Sequence, residues 1–273
     1  MLGTYTKKST DDEYDTSEGA LPLRLQSIAE DDLGETPARR KESLDKLAKL
    51  ISEETNLNAR TDAEFLLRFL RVRKYNVDAA MQTIRNYYYN RLACDSVYRE
   101  FLPSAVPAAA RKLCMTLPGK DRHGRPIFLC NIGAWNSGDV PHAVFQRAAL
   151  MCLDLMTSDP TAQTLGMVLL MDCQDFAVES ALSLKPGLIM RGLEYVQFKF
   201  HGESLESLHK HISPEELPPQ FGGQAEPLDY DAFWNKMDKL EDAFKESNSY
   251  GYTKTNTGDF ATQEEVEEAL TFL

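Results

Sequence analysis

GMVLLMD (166–172) decides the fold class. Residues 167–171 are continuously apolar, with no polar alternation, and are closed off by Gly166 and Asp172. Such a run suits a strand buried on both faces, as in a parallel sheet covered by helices. Before it, Pro141 to Met156 reads as a helix. Ile127 to Ile132 reads as another strand, following the turn signal DRHGRP (121–126). After it come a helical stretch over 186–196, the strand-like FKF (198–200) and a last helix from Glu203 to His211. Strand, helix, strand, helix, strand predicts an α/β lobe with mostly parallel pairing through crossovers.

The sequence before this lobe follows a helical period. After a polar stretch over 1–20, a short amphipathic piece runs from Leu23 to Leu33. Thr36-Pro37 then predicts an N-cap with proline at the first helical position, and Leu44, Leu47 and Ile51 give that helix one apolar stripe. Thr61-Asp-Ala-Glu64 fits a capping box. Phe65, Leu66, Phe69 and Leu70 point inward from the helix it opens, with Arg68 and Arg71 on the opposite arc. A third helix from near Asp78 turns Met81, Ile84 and Tyr88 inward. The expected organisation is an acidic flexible tail with a short helix (1–35), a helical bundle (36–92), the α/β lobe (93–223) and an acidic C-terminal tail (224–273) whose aromatic patch is Phe233-Trp234.

The 273-residue chain carries a net charge of −12, which argues against a nucleic-acid partner. The charge is unevenly spread: residues 1–35 are net −6, residues 224–273 net −8, and the middle is net +2. A surface-seeking role for the middle therefore stays open. Five widely spaced cysteines with no CxxC pair predict neither a disulfide framework nor a zinc site, and point to a reducing compartment. Without an apolar leader or a long apolar run, the expectation is a soluble cytoplasmic protein.

Enzyme signatures are missing: there is no GxSxG elbow, P-loop or GxGxxG. His209 and His211, two residues apart on one helix, face different ways, and Asp172 and Asp175 suit turns and caps. The sequence thus predicts no catalytic residue, metal or cofactor.

Three phrases in order carry a resemblance: FLLRFLRVRKYNVDAA (65–80), DRHGRPIFL (121–129) and FHGESLESLHKHISPEELPPQFGG (200–223). Over about residues 24–240 the chain resembles the CRAL-TRIO lipid-transfer family, on the branch of the α-tocopherol transfer and retinaldehyde-binding proteins. The resemblance implies a monomeric, non-enzymatic carrier. Its N-terminal bundle precedes an α/β lobe whose mostly parallel sheet floors an apolar cavity for one small tocopherol- or retinoid-like lipophile. By this match Phe145, Ala148, Cys152 and Met156 on the helix, and Met167, Leu169 and Met171 on the strand, line the cavity. The same faces would serve plain core packing. The branch also resembles proteins that read phosphatidylinositol bisphosphate at membranes. The matching position is Arg73, with Arg68, Arg71 and Lys74 adding charge; a solvated helix face, or an answer to the helix C-terminal dipole, explains the same residues.

The chain departs from the family after Gln197, where EYVQ (194–197) runs directly into FKFHG (198–202). Against the family this omits one core strand, the gate helix and the remaining basic residues of the phosphoinositide cleft, as a skipped exon or incomplete gene model would. The alternative function is a transfer-inactive interaction or scaffold module, or a defective splice product.

Overall fold

A computed structural model describes residues 19–176, 199–202 and 204–253. Four helices build the N-terminal unit: α1 (Leu23–Leu33), α2 (Pro37–Glu53), α3 (Ala63–Val72) and α4 (Val77–Ala93). Each start has a local cause. Thr36 Oγ1 accepts from the Arg39 amide at 3.2 Å ahead of Pro37. Asn76 Oδ1 accepts from the Ala79 amide at 3.1 Å. At α3 the cap is Asp62, which accepts from the Phe65 amide at 3.1 Å, so the predicted Thr61–Glu64 box is displaced by one residue. Asp62 is also fixed by Arg60, whose Nε lies 2.6 Å from its carboxylate. The inward residues are those the period predicted: Leu47, Ile51, Phe65, Leu66, Phe69, Leu70, Met81, Ile84 and Tyr88 share one core.

In the lobe, short helices α5 (Asp95–Tyr98) and α6 (Ala108–Arg111) lead to strands β2 (Cys114–Lys120) and β3 (Pro126–Asn131). Helices α7 (His142–Thr157) and α8 (Pro160–Leu165) then connect to β4 (Val168–Asp172). The described sheet has order β2-β3-β4. β3 and β4 pair in parallel, from Ile127↔Val168 to Asn131↔Asp172, but β4 is not buried on both faces as the apolar run suggested, since Leu169 and Met171 are 43% exposed. β2, absent from the sequence reading, pairs antiparallel with β3, so only one of the two described pairings is parallel. The turn between them is DRHGR itself: the Asp121 carboxylate accepts from the amides of His123 (2.9 Å) and Arg125 (2.8 Å) and from Arg125 Nε (2.7 Å). Gly124, at φ 79°, supplies the left-handed residue the turn needs. α7 packs on β2 and β3, and its buried side chains join the lobe core.

The region from Gln224 departs from the expected acidic tail. It forms α10 (Tyr230–Asp238) and α11 (Glu241–Ser247), after a short helix α9 (Leu205–His209), and ends in strand β5 (Gly251–Tyr252). Phe233 and Trp234 are buried; Trp234 Nε1 donates to Arg111 O at 2.7 Å, and Arg111 holds Asp238 with two bonds of 2.8 Å. β5 pairs with β1 (Leu57–Asn58), which places Tyr252 in the bundle core. Acidic composition concealed this because the acids sit on the outer faces while an apolar minority packs inward. The helix expected over 186–196, residue Phe198 and the junction after Gln197 lie outside the described residues. Lys199 and Phe200 take no regular structure.

Candidate functional site

The four predicted basic residues separate into two kinds. Arg71 does not sit on a solvent arc: it is 2% exposed. Its Nε and Nη2 each lie 2.9 Å from the Glu35 carboxylate, Nη1 donates to Gln163 Oε1 at 2.6 Å and Nη2 to Gly19 O at 2.8 Å. Arg40 reaches the same carboxylate at 3.2 Å. Burial pushes the Glu35 carboxyl up, but Arg71 and Arg40 together hold it below the usual range. One guanidinium thus joins the N-terminal segment, α3 and α8. Arg68 plays a parallel role: its Nη1 lies 3.3 Å from Asp154 on α7. These two arginines fasten the bundle to the lobe.

Arg73 and Lys74, in contrast, are exposed. They follow α3 in a tight turn in which Lys74 (φ 48°) and Tyr75 (φ 61°) are both left-handed, a costly conformation for residues other than glycine. The turn is held by buried Tyr75, and by Arg39, which donates to Lys74 O at 3.2 Å and stacks over the Tyr75 ring. Arg73 Nε donates to Thr83 Oγ1 at 2.9 Å. Val72, just before them in the chain, is 65% exposed. Sequence reasoning missed Arg39 and Val72: Arg39 lies 35 residues away from Lys74, and only the fold joins them.

The predicted lining residues also divide. Phe145, Ala148, Cys152 and Met156 do form one stripe of α7, but all four are buried in the lobe core, with Phe145 stacked on Trp135 at 5.1 Å. Met167 is half-buried against the same core. Leu169 and Met171 remain 43% exposed, whereas Leu170 between them is buried. Register puts Leu169 beside Phe128 and Met171 beside Cys130, both buried on the same face. Burial, and then the neighbouring Cys130, push the Cys152 thiol of α7 up. α7 packs over β2 and β3, while Leu169 and Met171 on β4 stay exposed. The result is an apolar shelf whose open floor is Leu169 and Met171.

A cavity of about 730 Å³ lies elsewhere, between the start of α3 and the C-terminal segment, among Arg60, Thr61, Asp62, Glu64, Glu246 and Tyr250. Its charged lining does not suit a lipophile. Among the described residues no group of histidine, cysteine and carboxylate side chains could hold a metal, and no helix is long and apolar enough to cross a membrane.

Residues 110–200 match the CRAL/TRIO domain. The chain is similar to Clavesin-1 of Rattus norvegicus, 27% identical over 238 residues that cover 72% of this chain and 66% of that protein. It is similar to Clavesin-1 of Xenopus laevis, at 25% identity, covering 82% of this chain and 80% of that protein. With Clavesin-2 of Homo sapiens it shares 26% identity, with 77% of each covered. The chain thus spans just under two thirds of the rat Clavesin-1. The matched domain and these relatives support the CRAL-TRIO family for this chain, and the helix-flanked sheet is consistent with its α/β fold.

Proposed function

We propose that this protein is a non-enzymatic carrier of a small lipophile, tocopherol- or retinoid-like, that works at phosphoinositide-bearing membranes. The observation that carries the reading is the shelf: Leu169 and Met171 lie 43% exposed on a β-strand, inside the matched domain and beside the apolar helix α7. Apolar side chains left in water cost about 25 cal/mol per Å², and a lipid lying on them removes that cost. In this reading the ligand lies on Leu169 and Met171, reaches Met167, and is backed by Phe145, Ala148, Cys152 and Met156. Arg73 and Lys74 meet the headgroup phosphates, and Arg68 and Arg71 hold the turn's helix in place. Arginine's planar fork suits phosphate oxygens.

The proposed loss of a strand and gate helix after Gln197 has one support in the relatives. The match to rat Clavesin-1 runs over 238 positions, but 72% of this 273-residue chain is only about 197 residues, so about 40 positions have no counterpart here. The same excess recurs with human Clavesin-2, 253 positions against 77% of the chain. A lipid on so open a shelf would be partly wet, and exchange with a membrane correspondingly fast.

Native mass spectrometry of the purified chain, before and after incubation with vesicles loaded with α-tocopherol or retinaldehyde, tests the reading. Uptake of one lipid per chain, lost in Met171→Asp without loss of folding, is the expected result. No adduct from any loaded vesicle would refute carrier function and favour an interaction module.

A further inference from the structure

Three cysteines that are 16 and 22 residues apart in sequence converge in the lobe core: Cys114 on β2, Cys130 on β3 and Cys152 on α7. Cys114 and Cys130 are direct partners in the antiparallel register. The Asn131 amide donates to Leu113 O at 2.8 Å. That bond flanks the cysteine pair instead of passing through it, which makes Cys114–Cys130 a non-hydrogen-bonded pair. In such pairs the Cα atoms stand about 4.5 Å apart and the side chains are at their closest. The separation falls within the window of about 4.4–6.8 Å that a disulfide spans. Both side chains are buried in the core that α7 covers. The hydrogen bond to Cys130, then burial, then the neighbouring Cys130 and Cys152 sulfurs, hold the Cys114 thiol well above its ordinary range.

We propose that Cys114 and Cys130 form a reversible cross-strand disulfide when the protein meets a peroxide. Peroxide oxygen transfers to the Cys130 sulfur, giving a sulfenic acid and releasing one water. The Cys114 sulfur then attacks it; the S–S bond forms, the S–O bond breaks, and hydroxide leaves with the Cys114 proton as a second water. Two thiols and one peroxide thus become one disulfide and two waters. Cys152 is not the partner, because no strand register holds it opposite Cys130. Burial makes the reaction slow: Cys114 is fully buried and Cys130 is 5% exposed, so the oxidant reaches them through local opening of β2, which pairs with β3 alone among the described residues. The bond would tie the hairpin beneath α7, next to the strand that carries Leu169 and Met171.

The full chain is treated with hydrogen peroxide at neutral pH until exposed Cys173 has fully reacted and then about a hundred times longer, and remaining thiols are alkylated after unfolding and mapped by peptide mass spectrometry. The expected product is a linked pair containing Cys114 and Cys130, lighter by two hydrogens and separated by dithiothreitol. Cys152→Ser should keep the link and Cys114→Ser should lose it. A Cys130–Cys152 link, or Cys114 and Cys130 both still alkylated after a treatment about a hundred times longer than the one that consumes Cys173, with the protein still folded, overturns the proposal.

Discussion

Replacing Arg71 by alanine tests whether that residue is a clamp or a ligand contact. In the native chain its guanidinium and the Glu35 carboxylate are nearly dry, with side-chain exposures of 3% and 2%, and are joined by two bonds of 2.9 Å. Removing one partner of a buried pair leaves the other charge uncompensated, at a cost of about 3–5 kcal/mol. Arg40 at 3.2 Å relieves part of this, while the lost bonds to Gln163 and Gly19 add to it. A loss of about 3–4 kcal/mol moves a urea midpoint by roughly 1–2 M for a slope near 2–3 kcal/mol/M. The pH dependence has a definite sign. In the native chain Glu35 sits below its unfolded value, so its contribution is present above that value and lost as pH falls through the folded one. Without Arg71, burial dominates and the folded carboxyl rises, so the variant protonates Glu35 first and regains stability relative to the parent. Urea melts of both proteins at pH 7.5, 6, 5 and 4.5 should show a full deficit at pH 7.5 that narrows toward pH 4.5. A deficit under 1 kcal/mol at pH 7.5, or one constant across the series, would refute the buried-clamp reasoning.

Changing Arg73 and Lys74 together to glutamate should leave the unfolding free energy from urea melts within about 0.5 kcal/mol, as surface substitutions do. It should weaken sedimentation with vesicles containing phosphatidylinositol bisphosphate by at least tenfold, at about 1 kcal/mol for each basic residue lost near the surface; unchanged binding would remove these residues from the membrane reading. Trp234→Ala removes a 1%-exposed ring and its bonds to Arg111 and Cys114, so a thermal melt should show a loss of about 3–5 kcal/mol, whereas a detachable tail would show none.

Much of this architecture was legible in periodicity. The short helix at Leu23–Leu33, the capped helix at Pro37, the inward faces of α3 and α4 and the parallel β3–β4 pair all follow from local spacing and turn chemistry, which act over a few residues. Strand β2 escaped because CMTLPGK (114–120) contains proline and glycine and has weak alternation; it is a strand because β3 offers it partners.

The sequence by itself determined the bundle helices, the strands at 126–131 and 168–172, most of the apolar faces and which short phrases resemble the CRAL-TRIO family. Tertiary structure decided which of two identical residue types does what. Arg71 and Arg73 are two positions apart on one helix end, yet one faces a buried carboxylate supplied by residue 35 and the other faces water. Cys114 and Cys130 read only as two of five widely spaced cysteines until strand register set them opposite each other. Phe233 and Trp234 read as a patch on a tail until β2 and Arg111 supplied a surface to bury them. The reason is common to all three: burial, pairing and charge compensation depend on neighbours brought from distant positions in the chain, and no local pattern records those neighbours.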